Sequence, residues 1–287
     1  MQRQPILFSV MPGKYQVCLM IPEGYQGSLI FRELLFLLRS ALRSLGHDCV
    51  IKANQLDPER INIVIGYHLL KHGDALSACR YVPYQLEQLG AQGGWYSENA
   101  RQILEGALEV WDYSRENIAF LDGEGITAKF LPVGYHADLE IIPRGVEKDI
   151  DVLFYGSINA RRQAILDRLG RIPGARIATL SAIYGKERDD YIARSKIVLN
   201  MHYYETAILE QVRVSFLLNN ACFVVSEESV DNPYEGLPLA SVPHELLADN
   251  CRRFLEHPQE MEQLRLETYE AFKTRYRMDE LLGRMIR

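Results

Sequence analysis

The sequence predicts an α/β protein made of two Rossmann-like domains facing a cleft, and three observations carry that expectation. Short apolar runs alternate with stretches whose apolar residues recur at helical spacing along most of the 287 residues. The order strand, glycine turn, helix starts twice, at 15–28 and again at 151–157. Between the two starts, residues 142–148 gather proline, glycine and charge, the composition of a linker. The predicted division is an N-terminal domain over 1–143, a C-terminal domain over 148–268, and a last helix at 269–287 that packs back on the first domain.

A hydrophobic content of 47% is enough for two cores of ordinary size. The net charge of -6 argues against a general nucleic-acid binder, because duplex contact requires a basic face. Locally the balance reverses: between Arg161 and Arg213 there are ten Lys or Arg against six Asp or Glu, which suits a phosphate-bearing ligand as well as a solvated surface. The five cysteines, at 18, 49, 79, 222 and 251, show no metal spacing and read as reduced core thiols, which places the expected setting in the cytoplasm. No uncharged run reaches the roughly 18 residues of a membrane span, which leaves only peripheral membrane contact open.

In chain order, residues 15–21 form the first strand, and the turn at 22–28 leads into a helix that stops at Gly46. The turn lacks GxGxxG spacing, so Gly24 and Gly27 are read as serving backbone conformation or close packing and no dinucleotide site is expected. Strands follow at 49–52 and 61–65, the second running into Gly66, Tyr67 and His68. Such folds place function at strand ends, and a histidine there can take a proton near neutral pH; a hydrogen-bonded core histidine is the alternative. His68 and His72 are four apart, as two metal ligands on one helix face would be, yet neither HExxH nor a third ligand accompanies them. Residues 81–89 read as a strand with Glu87 where it emerges, either a general base or orienting group, or a helix N-terminal charge. A glycine-aromatic loop at 92–96, a strand at 109–113, a short helix at 117–121 and a strand at 128–133 complete this half.

The second half restarts with a strand at 151–155, then Gly156 and Ser157, then Asn159 at the start of a helix with Arg161 and Arg162 in its first turn. Unpaired backbone donors at a helix start, joined by arginine, make an anion site. Asp149 and Asp151 spell DxD but precede the strand, so they are read as strand-start charge, and no metal is predicted. A strand at 176–180 and a polar loop at 184–188 lead to a helix at 189–194; Lys186 in that loop can reach a phosphate as a point charge. Residues 196–228 are a βαβ unit: a strand at 197–199, a polar turn at 202–206, a helix over 208–217 carrying Glu210 and Arg213, a stop at Asn219 and Asn220, and a strand at 222–225. The helix start faces a polar crevice, the place where open α/β sheets bind ligands. A short edge strand at 239–242 and helices at 244–256, 258–276 and 278–287 close the chain.

The order of residues in this βαβ unit resembles the donor-binding segment of GT-B glycosyltransferases, in particular the group 1-like and spore-maturation-protein-like members. Glu210 matches the Glu that holds the donor ribose, Asn219 and Asn220 stand at the small-residue pair, and Val224, Val225, Ser226 and Glu227 match the strand that follows. The resemblance implies a metal-independent transfer of sugar from a nucleotide to an acceptor hydroxyl, with no cofactor, and the acidic charge balance argues against a nucleic-acid partner. It implies nucleotide-sugar contacts at His202, Tyr203, Glu205, Thr206 and Glu210, and diphosphate contacts around Tyr155, Gly156, Ser157, Asn159 and Arg161. Arg161, Lys186 or Arg213 would then stabilise the departing phosphate. Glu23, His68 or Glu87 would face the acceptor hydroxyl, with Ser28 near the same cleft. The common retaining pattern has a second Glu where this chain has His202, so the match implies donor binding and not a stereochemical course. A nucleotide-sugar epimerase and a non-catalytic nucleotide- or sugar-binding module are the other functions compatible with these residues.

Overall fold

A computed structural model describes residues 12–70, 74–90, 94–205 and 207–286. Two parallel sheets organise it. The first contains β1 (Lys14–Leu19), β2 (Asp48–Ala53), β3 (Ile61–Ile65), β4 (Arg80–Gln85), β5 (Val110–Asp112) and β6 (Ala128–Phe130), in the order β2-β1-β3-β4-β5-β6. The second contains β7 (Ile150–Tyr155), β8 (Ile177–Leu180), β9 (Ser195–Asn200), β10 (Val224–Glu227) and β11 (Ala240–Val242), in the order β11-β10-β9-β7-β8. Each neighbouring pair runs parallel. The central strands are covered on both faces, so they read as unbroken apolar runs: Val17, Cys18 and Leu19 in β1, and Val152, Leu153 and Phe154 in β7, are all buried.

Helices α1 (Arg32–Ser44), α2 (Asp74–Ser77), α3 (Glu98–Glu105) and α4 (Arg115–Gly123) serve the first sheet, and α5 (Ala160–Leu169), α6 (Lys186–Arg194), α7 (Gln211–Asn219), α8 (Leu247–Glu256) and α9 (Pro258–Arg275) the second. No described helix is long and apolar enough to cross a membrane. Helix α3 falls where the sequence reading placed no element; its start is capped by Ser97, whose Oγ accepts from the Ala100 amide at 3.1 Å. The helix expected from residue 29 begins with a 3-10 turn, Gly27–Phe31, and the one expected from 208 begins at Gln211. Ile208 is withheld from α7 because it forms a parallel bridge with Asp231.

The chain passes between the halves twice, and the passages touch. Tyr135 donates its amide to the Tyr276 carbonyl at 2.7 Å and accepts from the Met278 amide at 2.8 Å. A Cβ on Gly134 would lie 2.3 Å from that Tyr276 carbonyl, so only glycine permits the approach. After the second passage α10 (Met278–Met285) packs on α1, and Met278 and Leu282 are fully buried in the core that contains Leu34, Leu38 and Leu42. Asn219 and Asn220, aligned above with a small-residue pair, hold the first passage instead. Asn219 Oδ1 accepts from the His136 amide at 3.0 Å, and Asn220 Oδ1 accepts from the Ile141 and Ile142 amides at 2.7 and 2.8 Å.

Polar contacts join the halves across the cleft, among them Gln211 Nε2 donating to the Tyr113 carbonyl at 2.6 Å. Glu33 at the start of α1 pairs with Arg188 of α6 at 2.8 Å, with side chains only 9% and 6% exposed. Asp231, from the loop after β10, caps α4 of the other half: its Oδ2 accepts from Ser114 Oγ at 2.6 Å and from the Arg115 amide at 2.7 Å. A carboxylate on a helix start gains from both the free amides and the helix dipole. Asp231→Ala is therefore expected to lower stability by about 1–2 kcal/mol, read as a lower urea midpoint with an unchanged m-value.

Candidate functional site

Strand order fixes where the site lies. The order reverses between β1 and β3 in the first sheet and between β7 and β9 in the second. Side chains beyond the carboxyl ends of those strands line the crevice that doubly wound sheets leave open.

In the C-terminal half, β7 ends in Tyr155 and Gly156. Gly156 adopts φ +140°, and a Cβ there would sit 2.7 Å from Arg213 Nη2, so the missing side chain lets that guanidinium lie against the turn. Asn159 caps α5 by accepting from the Arg162 amide at 3.0 Å, and its side-chain amide donates to the Tyr203 carbonyl at 2.9 Å. Arg162, only 2% exposed, lies beneath the turn. It donates to the Ser157 carbonyl at 2.7 Å, the His202 carbonyl at 3.3 Å, the Met201 carbonyl and Glu210 Oε1. Glu210 bridges Arg162 and Arg213, the latter at 2.6 Å, while Arg161 pairs with Glu227. The cluster thus sets three arginines against two carboxylates, a surplus of one positive charge at a helix start. Burial raises the Glu227 carboxyl, but the hydrogen bonds from Arg161 and the His202 amide, with the charge of Arg161, together outweigh it and hold the group below its ordinary range.

His202 is fully buried, with Nε2 3.0 Å from both the Glu228 carbonyl and Ser229 Oγ. Donation to that carbonyl puts the proton on Nε2 and leaves Nδ1 as a bare acceptor without a partner. Burial lowers the ring's pKa and favours this neutral form, against the pull of Glu210 and Glu227.

In the N-terminal half, Gly66 ends β3 at φ +77°, with the Met20 carbonyl 3.1 Å from where a Cβ would stand, and a 3-10 turn, Tyr67–Leu69, follows. This turn places His68 Nε2 3.9 Å from Glu87 Oε1 and its ring 4.9 Å from that of Trp95. Burial pushes His68 down to about 4, so it is neutral at pH 7 and its approach to Glu87 is not an ion pair. Glu87, with its side chain 21% exposed, lies just past β4. Burial, with the Glu210 carboxylate across the cleft adding to it, pushes Glu87 up to about 7. Tyr113, the buried residue after β5, feels both Glu87 and Glu210, so the two walls converge there. Exposed Tyr25 of the first loop feels Glu87 on its own side and Tyr184 and Tyr204 on the other.

Of the residues singled out in the sequence, Tyr155, Gly156, Ser157, Asn159, Arg161, His202, Tyr203, Glu210 and Arg213 gather at the C-terminal wall, and His68 and Glu87 at the N-terminal one. Ser157 contributes its carbonyl, and the Tyr155 ring lies 5.1 Å from the Arg213 guanidinium. Lys186 stands apart: its side chain is 89% exposed and pairs with Asp190 at 3.2 Å, and Arg213 is the cation at the turn. Glu205 is exposed near Arg161, and Glu23 is exposed in the first loop. Ser28 is buried and donates to the Met20 carbonyl at 3.0 Å, so its hydroxyl is engaged within the loop. Thr206 and His72 lie outside the described residues. Asp149 pairs with Arg194, and Asp151 with Lys196 at 2.7 Å, as charges at a strand start. Arg162, central to the cluster, was legible only as a second arginine in a helix turn; its place three residues after the cap Asn159 is the signal that points it inward.

No protein-family model matches the chain. Two curated relatives are uncharacterized proteins of Acanthamoeba polyphaga mimivirus. One is 30% identical over 183 residues, covering 62% of this chain and 23% of that protein. The other is 28% identical over 162 residues, covering 52% of each. The chain therefore spans between about a quarter and a half of the length of these relatives. Among solved structures, T4 phage BGT in complex with UDP and Mn2+ superimposes with a TM-score of 0.62 at 11% identity, covering 95% of this chain and 99% of that one. An alpha-glucosyltransferase in complex with UDP and a 13-mer DNA containing an HMU base gives 0.64 at 8% identity, covering 94% and 98%. The fold is GT-B. Identities this low speak for the GT-B architecture alone.

Proposed function

We propose that this GT-B chain is a glycosyltransferase that moves a sugar from a nucleotide sugar to an acceptor hydroxyl. The observation that carries the reading is the pairing of a carboxyl poised near neutrality, Glu87 at about 7, with the Glu210–Arg213–Gly156 cluster on the facing wall. A general base works best when its pKa lies near the operating pH. In this reading the nucleotide sits on the C-terminal wall, with its ribose at Glu210 and its diphosphate at the Gly156 turn and the start of α5. Glu87 takes the proton of the acceptor hydroxyl as its oxygen bonds to the anomeric carbon. The bond from that carbon to the phosphate oxygen breaks, and the leaving nucleoside diphosphate keeps the electron pair. Arg213 and Arg161 meet the charge that develops there. His68, neutral and beside Glu87, orients rather than titrates.

Mn2+ in the T4 phage structure belongs to that protein. Glu210 and Glu227, the carboxylates at the turn of this chain, are each engaged by arginine. In this reading the diphosphate charge is met by Arg213 and Arg161.

Thermal shift with UDP, GDP, CMP and dTDP tests the reading. A nucleotide at a hundred times its dissociation constant adds about 2.7 kcal/mol of stability, so one of the four is expected to raise the melting temperature. Incubation with the matching nucleotide sugar is expected to release nucleotide without producing an epimer of the sugar. No shift with any nucleotide, or a shift with no turnover of any nucleotide sugar, sinks the transferase reading.

A further inference from the structure

A hollow of about 200 Å³ opens between the end of α5 and the middle of α8, at the opposite end of α5 from the Gly156 turn. Ile165, Leu169, Leu247 and Cys251 of the two helices share one core, so the walls stand on a rigid frame. Three guanidiniums line the hollow: Arg168, Arg171 and Arg252. One carboxylate answers them, Asp249, which lies 2.9 Å from Arg168 Nη2 and 3.6 Å from Arg252 Nη2. Arg168 also donates to the Glu245 carbonyl, which fixes its direction. Among the described residues nothing bonds to the exposed side chain of Arg171. Three positive charges against one negative leave a surplus of two in this lining, within a chain whose net charge is -6. Ile172, Pro173 and Ala248 supply the apolar part of the surface.

We infer that this hollow is a second anion site, taking a small phosphate-bearing molecule apart from the nucleotide wall, and the inference does not rest on the transferase reading. Like charges repel, so arginines gathered round one hollow of an acidic protein mark a place that attracts an anion. Guanidinium suits phosphate in particular, because its parallel N–H donors grip two oxygens at once. The volume narrows the ligand further. It is more than ten times the ~10–15 Å³ that admits one water, yet below the roughly 300 Å³ at which sites for drug-sized ligands begin. A phosphate carrying one small ring matches that range, with the ring on Ile172, Pro173 and Ala248. The placement keeps the two sites separate. Helix α5 has ten residues and is about 15 Å long, so a molecule beside Arg168 leaves the Gly156 turn free.

NMR on the full chain at low ionic strength, where exposed charges are least screened, tests the assignment. Phosphorus line widths follow inorganic phosphate and glucose 6-phosphate, and proton saturation transfer follows glucose 6-phosphate with glucose as the uncharged control. Both phosphate compounds are expected to bind at millimolar concentration and glucose is not. Tighter binding of glucose 6-phosphate assigns the site to a phosphorylated metabolite and equal binding assigns it to free phosphate; either result supports an anion site. The double variant Arg171→Gln/Arg252→Gln is expected to weaken binding by more than about tenfold, whereas Arg213→Gln at the nucleotide wall leaves it unchanged. Both replaced arginines are exposed, so the melting temperature should stay within about two degrees of the unmodified protein. Arg171→Gln alone, which breaks no bond in the structure, serves if the double variant does not fold, with a loss of about threefold or more. Binding of neither phosphate compound overturns the inference, as does glucose binding as tightly as its phosphate. So does binding that is lost in Arg213→Gln and kept in the double variant, which would place the anion at the Gly156 turn only. No nucleotide enters these measurements, so their failure leaves the transferase reading standing, and failure of that reading leaves this site untouched.

Discussion

Glu87→Gln is expected to reduce sugar transfer by about 10²- to 10⁴-fold, the usual contribution of a positioned general base, and to leave nucleotide affinity close to that of the unmodified chain. The pH profile carries the sharper test. Glu87 acts in its deprotonated form, so kcat/KM should rise with pH and level off above about 7, where burial and Glu210 have placed its pKa. The glutamine variant should lose that limb. Stability should move the other way. A carboxyl near 7 when folded and near its ordinary value when unfolded loses stability as pH rises through that window, since only the unfolded chain ionises there. Removing the charge should therefore stabilise the protein at pH 7 by about 1–3 kcal/mol. A variant that is both inactive and less stable at pH 7, with its pH limb intact, contradicts the assigned role.

Arg162→Met carries the largest expected loss of stability, about 3–5 kcal/mol. The substitution would leave the Met201 carbonyl and one oxygen of Glu210 without a donor, and the turn at 157 untied from the segment at 201–202. Melting should fall by about 6–20 °C, and nucleotide affinity should fall with it because Gly156 and Glu210 would no longer be held in one frame. Lysine should not rescue the variant, since one ammonium cannot reach acceptors spread around a planar guanidinium. A melting temperature within a degree or two of the unmodified protein would show that the buried arginine does not tie the cluster together.

The sheets were legible because parallel strands covered on both faces leave an unmistakable trace. Residues 63–65 and 152–154 are apolar without interruption, and the strands that contain them lie within a residue of the expected bounds 61–65 and 151–155. The C-terminal wall could be read in outline because its members sit at strand ends and helix starts, positions that turn chemistry marks. What stayed hidden depends on partners far along the chain. Asp231 looks like an ordinary loop acid until it is found on the start of α4, more than a hundred residues earlier. Asn219 and Asn220 resemble a helix stop, which they are, but their side chains serve the linker near residue 140. The displacement of Glu87 toward neutrality arises from burial and from the Glu210 carboxylate of the other half, properties of the assembled cleft and not of any local pattern. Helix α3 was missed for a simpler reason: Ser97 as cap with Ile103 and Leu104 as its inward face was a readable signal, masked by the glycine-aromatic loop before it.

The double passage between the halves sets how such a molecule can open. With Tyr135 bonded to the chain at Tyr276 and Met278, the two crossings are pinned to each other, so a swing of one half against the other would turn about a single point and a sliding motion would have to break both bonds. The Glu33–Arg188 pair and the Asp231 cap fasten the same two halves at points away from that pin, so any swing about it must stretch or break them.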